Sequence, residues 1–184
     1  MNQFTINNAV VEILIDDLIN STHEAVVIPT NSKLLPSGTL RCKALKQAGA
    51  KIQVECNKII NKIAIIPVGN AVLTSGGNLS SKFIIHVVSP KLSVLGQKLE
   101  GKKLMLATWN SLKLADQKGI KSIAFPPISA EMLGFNAKIC ANAMLPTIQK
   151  YLLEKNKNLK KISIYLESLP DYKDFENVVD TLIS

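Results

Sequence analysis

Short apolar runs alternate with longer stretches of helical spacing along this chain. Six of the runs are rich in β-branched residues and predict strands. They cover residues 10–15, 25–28, 71–74, 83–88, 122–125 and 162–166. Several of them are apolar at successive positions, which is typical of strands covered by helices on both faces. The pattern therefore predicts a central sheet with helices on either side.

Apolar residues at helical spacing predict helices between these strands. The first helix is closed by Gly49 as a C-cap, and the second ends near Gly119. The third runs from about Asn136, an N-cap, to about Glu154, and Pro146 inside it predicts a kink or an early break. The first two apolar stripes are Leu40, Ala44, Leu45 and Ala48, then Met105, Trp109 and Leu112.

A fourth, terminal helix is predicted to begin near Asp171 or Asp174. The order of strands and helices predicts an α/β fold, a three-layer α/β/α sandwich. We find no internal repeat, low-complexity tract or linker in the chain. A length of 184 residues fits one domain with a sizeable core, so residues 1–184 are predicted to form a single domain.

Composition narrows the class of protein. Apolar residues make up 47% of the chain and charged residues 20%, the balance of an ordinary soluble globule. Cys42, Cys56 and Cys140 have no CxxC or CxH spacing, so we expect reduced, mostly buried thiols and no metal site. No secretory signal and no apolar run of membrane-spanning length is visible. We therefore expect a cytoplasmic protein, or a nuclear one in a eukaryote, that contacts no membrane.

The formal net charge of +8 is unevenly placed. Residues 1–32 contain no lysine or arginine, whereas lysines crowd residues 91–121 and 150–161. Such an excess favours association with polyanions, although a set of solvated helix faces is the simpler explanation. Aromatic residues make up only 5% of the chain, and no aromatic-interleaved basic stretch indicates a nucleic-acid platform.

Polar and small residues follow two of the predicted strands. Asn31 ends the run that begins at Glu24, and Gly38 precedes a predicted helix. A second small-residue loop, 129–134, also precedes a helix. Glycine beside a helix N-terminus lets phosphate oxygens approach backbone N–H groups, and the carboxyl ends of strands in open α/β sheets are where ligands bind. These segments predict a pocket for a phosphorylated small molecule, although each is also ordinary turn chemistry by itself.

Five segments in this order resemble the macro domain, the α/β module that binds ADP-ribose. They are Asp16-Asp-Leu-Ile19, Val27-Ile-Pro-Thr-Asn31, Ser37-Gly-Thr-Leu40, Ile85-His-Val-Val-Ser-Pro90 and the segment 122–134. The resemblance covers roughly residues 10–180, and the Pro-Thr-Asn and Ser-Pro variants are most like the macro domain of a histone variant. It implies a mixed central sheet, no cofactor and no metal. The implied partner is ADP-ribose or an ADP-ribosylated protein.

The resemblance also implies a set of ligand contacts. Asp17 would accept a hydrogen bond from the adenine amine, the Leu18 backbone would flank the ring, and Asn31 would contact the distal ribose. The helix start at Gly38, Thr39 and Leu40 would lie along that ribose and the phosphates. The diphosphate would meet a second loop, which consists of Ser129, Ala130, Glu131, Met132, Leu133 and Gly134. His86 is expected to be a core histidine and His23 a surface residue.

The chain departs from the family pattern at positions that bear on catalysis. Arg41 stands where hydrolases of the family often have an acidic residue, and the triple glycine is reduced to Gly38 alone. Glu131 replaces a usual glycine, so its side chain is expected to crowd and repel a diphosphate unless the loop reorganises. The aromatic residue often found near adenine aligns with Glu167, and Tyr165 is a candidate substitute.

Three functions follow as hypotheses. The first is a weak or non-catalytic binding module for ADP-ribose or a related adenine nucleotide, in effect a pseudoenzyme. The second is an ADP-ribosyl hydrolase that acts on mono-ADP-ribosylated protein or O-acetyl-ADP-ribose, with Asn31 as the catalytic candidate. The third is a scaffold with a decayed pocket whose lysine-rich faces bind RNA, poly-ADP-ribose or acidic partners.

Overall fold

A seven-stranded mixed sheet forms the centre of the protein. The structure is a computed structural model that describes residues 3–90, 97–128 and 136–183. Within 97–128, side chains are described from residue 101 onward. The strand order is β1-β2-β7-β6-β3-β5-β4. The strands are β1 Gln3–Ile6, β2 Ala9–Ile15, β3 Ala25–Thr30, β4 Ala71–Ser75, β5 Phe83–Val88, β6 Ser122–Phe125 and β7 Lys161–Leu166. Strands β2, β7, β6, β3 and β5 are parallel, and antiparallel β1 and β4 close the two edges.

Helices cover both faces of this sheet. They are a 3-10 turn at Leu18–Asn20, α1 Thr39–Ala48, α2 Ala50–Ile63, α3 Gln97–Gln117, α4 Ala137–Glu154 and α5 Leu169–Ile183. Alternate residues of β3 enter two separate cores: Val26 and Ile28 pack with α1 and α2, whereas Ala25 and Val27 pack with α3, α4 and α5. The predicted α/β sandwich with a mixed sheet is confirmed.

All six predicted strands are present, and two elements were missed. Strand β1 is short and half exposed, and it joins β2 through a tight turn in which Asn7 has a left-handed φ of 51°. Helix α2 follows α1 after Gly49 alone, whose φ of 90° bends the chain between them. Gly49 was predicted only as the C-cap of α1, because a single residue gives little sign of a second helix.

Helix boundaries follow local capping chemistry. Asn136 caps α4 as predicted, since its Oδ1 accepts a bond from Ile139 N at 2.9 Å. The helix then continues through Pro146 to Glu154, so the predicted early break is absent. Helix α5 begins at Leu169, slightly before the predicted start, because Ser168 Oγ accepts a bond from Asp171 N.

The cysteines behave largely as predicted. Cys56 and Cys140 are buried, Cys42 is exposed, and all three are free thiols. Across 3–90, 97–128 and 136–183, no helix combines the length and the apolar character that a membrane crossing requires.

Candidate functional site

The carboxyl ends of the five parallel strands meet along one edge of the sheet, and we refer to this edge as the crevice edge. Strand β2 runs into Asp17, β3 into Asn31, β5 into Ser89 and β7 into Glu167. A bond from Asp16 N to Leu166 O at 3.2 Å ties the ends of β2 and β7 together. The topology therefore brings most of the described candidate residues to one side of the sheet, where ligands of open α/β folds bind.

Asp17 is held by its own turn and by a lysine of α1. Its Oδ1 accepts a bond from Ile19 N at 3.1 Å, which caps the 3-10 turn. Its Oδ2 lies 2.7 Å from Lys43 Nζ and 3.4 Å from Asn20 Nδ2. The hydrogen bond from Lys43 holds the pKa of this carboxyl below its ordinary value, so Asp17 is an anion at neutral pH. One acceptor position of Oδ1 remains for a ligand amine.

Leu18 belongs to the core rather than to the surface of the crevice edge. Its side chain is buried among the residues that pack under α1 and α2. Its carbonyl accepts a bond from Ser21 N at 3.1 Å, which completes the 3-10 turn. The predicted contribution of Leu18 is therefore limited to its backbone.

The side chain of Asn31 closes the loop that follows β3. Its Nδ2 donates to Leu35 O and to Ser37 Oγ, both at 3.0 Å. Its Oδ1 accepts bonds from Lys33 N and Leu35 N, both at 3.1 Å. An amide side chain offers two donors and two acceptor positions, so all four are engaged within the loop. Contact with a ribose hydroxyl requires Asn31 to exchange one of these bonds.

Gly38 places the start of α1 at the crevice edge. Its φ of 70° lies in the left-handed region, and it is the N-cap of the helix without a side-chain cap bond. Thr39 and Leu40 form the first helical residues behind it. The positive end of the helix dipole thus lies beside Asn31, which suits a phosphate group.

Arg41 is buried, only 1% exposed, and its guanidinium holds the loop against the sheet. Its Nε donates to Leu35 O at 3.0 Å and its second terminal nitrogen to Leu34 O. Its other terminal nitrogen lies 2.9 Å from His86 Nδ1. Because Arg41 is always a donor, Nδ1 of His86 is the acceptor, and His86 Nε2 donates to Thr74 Oγ1 at 2.8 Å.

His86 is a core histidine, as expected. Burial, with the charge of Arg41 as a smaller cause, lowers the pKa of His86 to about 3, so the ring is neutral at physiological pH. Arg41 and His86 therefore form a structural pair under the loop. The acid that family hydrolases often carry at position 41 is replaced here by a cation that points into the core.

His23 is not a surface residue, and the prediction that it is one was wrong. It is 6% exposed, and Ser21 Oγ and Ser163 Oγ lie 2.9 Å and 2.7 Å from its two ring nitrogens. Ser163 Oγ donates to Glu12 Oε1, so His23 Nε2 must be the donor to Ser163. Burial lowers the pKa of His23. Because Ser163 lies 140 positions away in sequence, no local motif indicated the burial of His23.

Tyr165 is a poor substitute for an aromatic residue beside adenine. It is 8% exposed and packs edge-on against His23 with ring centroids 5.9 Å apart, so it belongs to the core. Glu167, the residue directly after β7, is exposed at the crevice edge. Asp17, and to a smaller extent Glu167, raise the pKa of Lys43, so Glu167 lies near this ion pair.

Sequence reasoning missed two residues at the crevice edge. Lys43 pairs with Asp17, and its only sequence signal was its place one turn into α1. Ser89 is 7% exposed, and its Oγ has no hydrogen-bond partner among the residues that the structure describes. Ser89 N donates to Thr30 O at 3.2 Å, which places Ser89 beside Asn31. The signal for Ser89 was the Ser-Pro variant of the family's Gly-Pro.

Six predicted phosphate-loop residues lie outside the described residues. They are Ser129, Ala130, Glu131, Met132, Leu133 and Gly134. Among the residues that are described, no group of three or more His, Cys, Asp and Glu side chains is placed to hold a metal ion. What the described part of the edge offers is one anchored carboxylate, an amide, an uncapped helix start and a buried hydroxyl. These groups suit the recognition of amines, hydroxyls and phosphates.

The chain is similar to known proteins over most of its length. The family model described as Macro domain matches residues 27–144. A macro domain-containing protein of Listeria monocytogenes is 37% identical over 76% of this chain and 78% of its own length. The O-acetyl-ADP-ribose deacetylase 1 of Pantoea vagans is 33% identical over 85% of this chain and 90% of its own length.

A solved structure shows the same architecture. The Oceanobacillus iheyensis macrodomain with ADP superimposes with a TM-score of 0.92, at 29% identity, over 98% of this chain and 95% of its own. The sheet order and the helices of the present chain are therefore those of a protein that holds an adenine nucleotide.

Proposed function

The chain belongs to the macro-domain family, and on that basis we propose that it binds ADP-ribose or a related adenine nucleotide along the crevice edge. The observation that carries the proposal is the alignment of Asp17, Gly38 and Asn31 along one edge of the sheet, each at the end of a different element. An ADP-bound macrodomain with the same fold at 29% identity supports it.

The proposed pose follows from the chemistry of each group. The adenine amine donates to the remaining acceptor position of Asp17 Oδ1. The diphosphate lies over the N-terminus of α1 at Gly38, where the helix dipole favours negative charge. The distal ribose lies near Asn31 and Ser89, and a ribose hydroxyl there would give the buried Ser89 Oγ a partner.

We further propose that this chain is a binding module with little or no catalysis, a pseudoenzyme within its family. Position 41 carries a buried arginine where an acid would activate water. Asn31, the other catalytic candidate, has all four hydrogen-bonding positions engaged in its own loop. Neither residue is free to hold an attacking water in the described arrangement.

Titration calorimetry with ADP-ribose tests the binding proposal. We expect saturable heat for the protein as it stands and an affinity at least about tenfold lower for Asp17→Ala, since a charged acceptor is worth about 1.5–3 kcal/mol. Asp174→Ala, which removes a partly exposed carboxylate on α5, is the matched control and should bind as the parent does. Absence of heat at millimolar ADP-ribose would contradict the proposal.

An ADP-ribosyl hydrolase or O-acetyl-ADP-ribose deacetylase is the second candidate, because the relative from Pantoea vagans carries the deacetylase name. Release of ADP-ribose from a mono-ADP-ribosylated protein, and of acetate from O-acetyl-ADP-ribose, should be compared between the parent and Asn31→Ala. Release that disappears in Asn31→Ala would favour an enzyme. Release at the rate of buffer alone in both would support the binding module.

The lysine excess supports a further association, with a polyanion such as RNA or poly-ADP-ribose, through a surface apart from the crevice edge. The three free cysteines favour a reducing compartment such as the cytoplasm.

A further inference from the structure

The edge of the sheet opposite the crevice edge carries a polar recess of about 280 Å³. We call it the basic recess, and it is lined by Asn7, Asn8, Leu152, Asn156, Lys157 and Lys160. Two segments form it: the turn between β1 and β2, and the loop from α4 into β7. Both segments precede parallel strands, so the basic recess lies at the amino ends of these strands, away from Asp17 and Asn31.

The loop on one side of the basic recess is held by internal hydrogen bonds. Asp116, which is 6% exposed, accepts bonds from Asn158 N at 2.7 Å and Lys157 N at 3.1 Å. Its backbone carbonyl accepts a bond from Asn158 Nδ2 at 2.9 Å. Asn156 bonds both the N–H and the carbonyl of Leu159 at 3.0 Å. The backbone under Lys157 and Lys160 is therefore fixed before any ligand arrives.

The other side is fixed in the same way. Asn7 Nδ2 donates to Leu152 O at 3.0 Å, which ties the β1–β2 turn to the end of α4. Val10 N donates to Lys160 O at 2.8 Å, and Lys160 N donates to Lys121 O at 2.7 Å. The two walls are thus joined through the strands behind them, and the recess is a built feature of the fold.

The lysines around the basic recess form no ion pairs within the part of the chain that the structure describes. The ammonium groups of Lys118, Lys155, Lys157 and Lys160 have no ion-pair or hydrogen-bond partner among the described residues. Lys121 Nζ bonds only an amide oxygen, that of Asn158, within that same part of the chain.

Three of the nearby acids are already engaged. Asp116 serves the loop backbone, and Glu24 accepts bonds from Lys82 Nζ and Lys121 N. Glu12 accepts bonds from Lys161 Nζ and Ser163 Oγ. Glu154 at the end of α4 is exposed beside Lys155. The loop that follows it, residues 155–160, presents lysine and amide side chains, a combination that attracts phosphate oxygens.

We propose that the basic recess binds a single strand of nucleic acid through its phosphate backbone. A volume of about 280 Å³ accepts a phosphate with its attached sugar, which a flexible strand can insert and a stiff duplex cannot. The Asn7, Asn8 and Asn156 amides supply donors and acceptors for the sugar hydroxyls, and Lys157 and Lys160 supply charge for the phosphates. This second site is independent of ADP-ribose binding at the crevice edge.

The site is expected to tolerate any base sequence. None of the residues that line the basic recess is aromatic, so no described side chain there offers a stacking platform. Tyr151, the nearest aromatic in sequence, is buried against Trp109 at a centroid distance of 5.0 Å. Affinity must then come from charge and fall steeply with added salt.

Fluorescence anisotropy with a labelled oligouridylate of about 12 nucleotides, within the usual range of single-strand site sizes, tests the proposal. We expect the full chain to bind at low salt and the Lys157→Gln/Lys160→Gln variant to bind about tenfold more weakly. The slope of log affinity against log salt should also fall by about 1.4, since each lost phosphate contact on a single strand contributes about 0.7. A duplex of the same length should bind more weakly than the strand.

The matched control removes the same charge elsewhere. Lys58 and Lys62 are exposed on α2, so Lys58→Gln/Lys62→Gln should bind the strand as the parent does. Equal losses in both double variants, or no binding at low salt, would overturn the proposal. Saturating ADP-ribose should leave strand binding unchanged, and competition between them would place the strand at the crevice edge instead. The test of strand binding does not depend on whether ADP-ribose binds at the crevice edge.

Discussion

Lys43 Nζ lies 2.7 Å from Asp17 Oδ2, so the carboxylate that we propose as the acceptor for the adenine amine already forms an ion pair within the chain. The two side chains are 52% and 33% exposed, and each shifts the other's pKa toward the charged form. The ion pair spans 26 positions in sequence and joins α1 to the end of β2. An adenine amine must therefore share Asp17 with an ammonium group.

Removal of this lysine should strengthen adenine recognition. In Lys43→Gln the carboxylate loses its competing donor, and we expect ADP-ribose to bind about two- to fivefold more tightly, the range open to an exposed ion pair. Calorimetry at low ionic strength measures the change. Lys46→Gln, an exposed lysine of the same helix, should bind as the parent does. Unchanged or weaker binding by Lys43→Gln would show that the pair does not compete with the ligand.

Two glycine substitutions should act in opposite directions. Gly38 has a φ of 70°, so Gly38→Ala introduces strain at the start of α1 and should lower the free energy of unfolding by about 1 kcal/mol. Gly101 lies within α3, where an added Cβ meets no atom within 4 Å, so Gly101→Ala should raise it by about 0.5–1 kcal/mol. Urea unfolding measures both. ADP-ribose affinity should fall only in Gly38→Ala, and equal affinities would remove Gly38 from the phosphate contact.

Arg41 should matter for folding rather than for chemistry. Arg41→Ala leaves the Nδ1 of His86 without its donor and opens a cavity. It also removes one of the donors to the carbonyls of Leu34 and Leu35. We expect a loss of about 3 kcal/mol in the free energy of unfolding. Arg41→Lys should recover only part of it, because one ammonium cannot reach three acceptors in a fixed fork. Lys46→Ala, on an exposed position of the same helix, is the control. If it lowers the free energy of unfolding as much as Arg41→Ala does, the structural role of Arg41 is contradicted.

Stability should fall as the pH drops below 6.5. The pKa of His86 is about 3 in the folded protein and 6.5 in the reference state, so the unfolded chain binds more protons between these values. The free energy of unfolding should decrease by about 1 kcal/mol between pH 6.5 and about pH 5.5 from this group alone. Burial also lowers the pKa of His23, so this residue contributes a further decrease in the free energy of unfolding as the pH falls.

Urea midpoints measured across this interval test the pH dependence. The lowered pKa values of the carboxyls of Glu12, Asp17 and Glu55 add their own losses only in more acidic solution, because their ordinary values lie at or below 4.5. His86→Asn should be less stable at neutral pH and show a shallower decline below pH 6.5. If the free energy of unfolding of His86→Asn declines as steeply with falling pH as that of the parent, another group causes the pH dependence.

Sequence alone predicted the framework, because the period of apolar residues reports which faces are buried. The alternation of strands and helices, the N-cap at Asn136 and the crevice edge at Asp17, Asn31 and Gly38 were all readable from local pattern. Strand β1 and helix α2 were missed, since a half-exposed edge strand and a helix divided from its neighbour by Gly49 leave weak periodic signals.

Tertiary structure alone decided which polar groups are free and which are used. Asn31 was a ligand candidate by type, yet Lys33, Leu35 and Ser37 fill its hydrogen-bonding positions. Arg41 meets His86 across 45 positions, and His23 meets Ser163 across 140. Hydrogen-bond satisfaction depends on partners that the fold brings together from distant segments, whereas periodicity depends only on neighbours along the chain. For this reason the sequence indicated the edge at which we propose that a nucleotide binds, and only the folded chain showed the ion pair between Lys43 and Asp17.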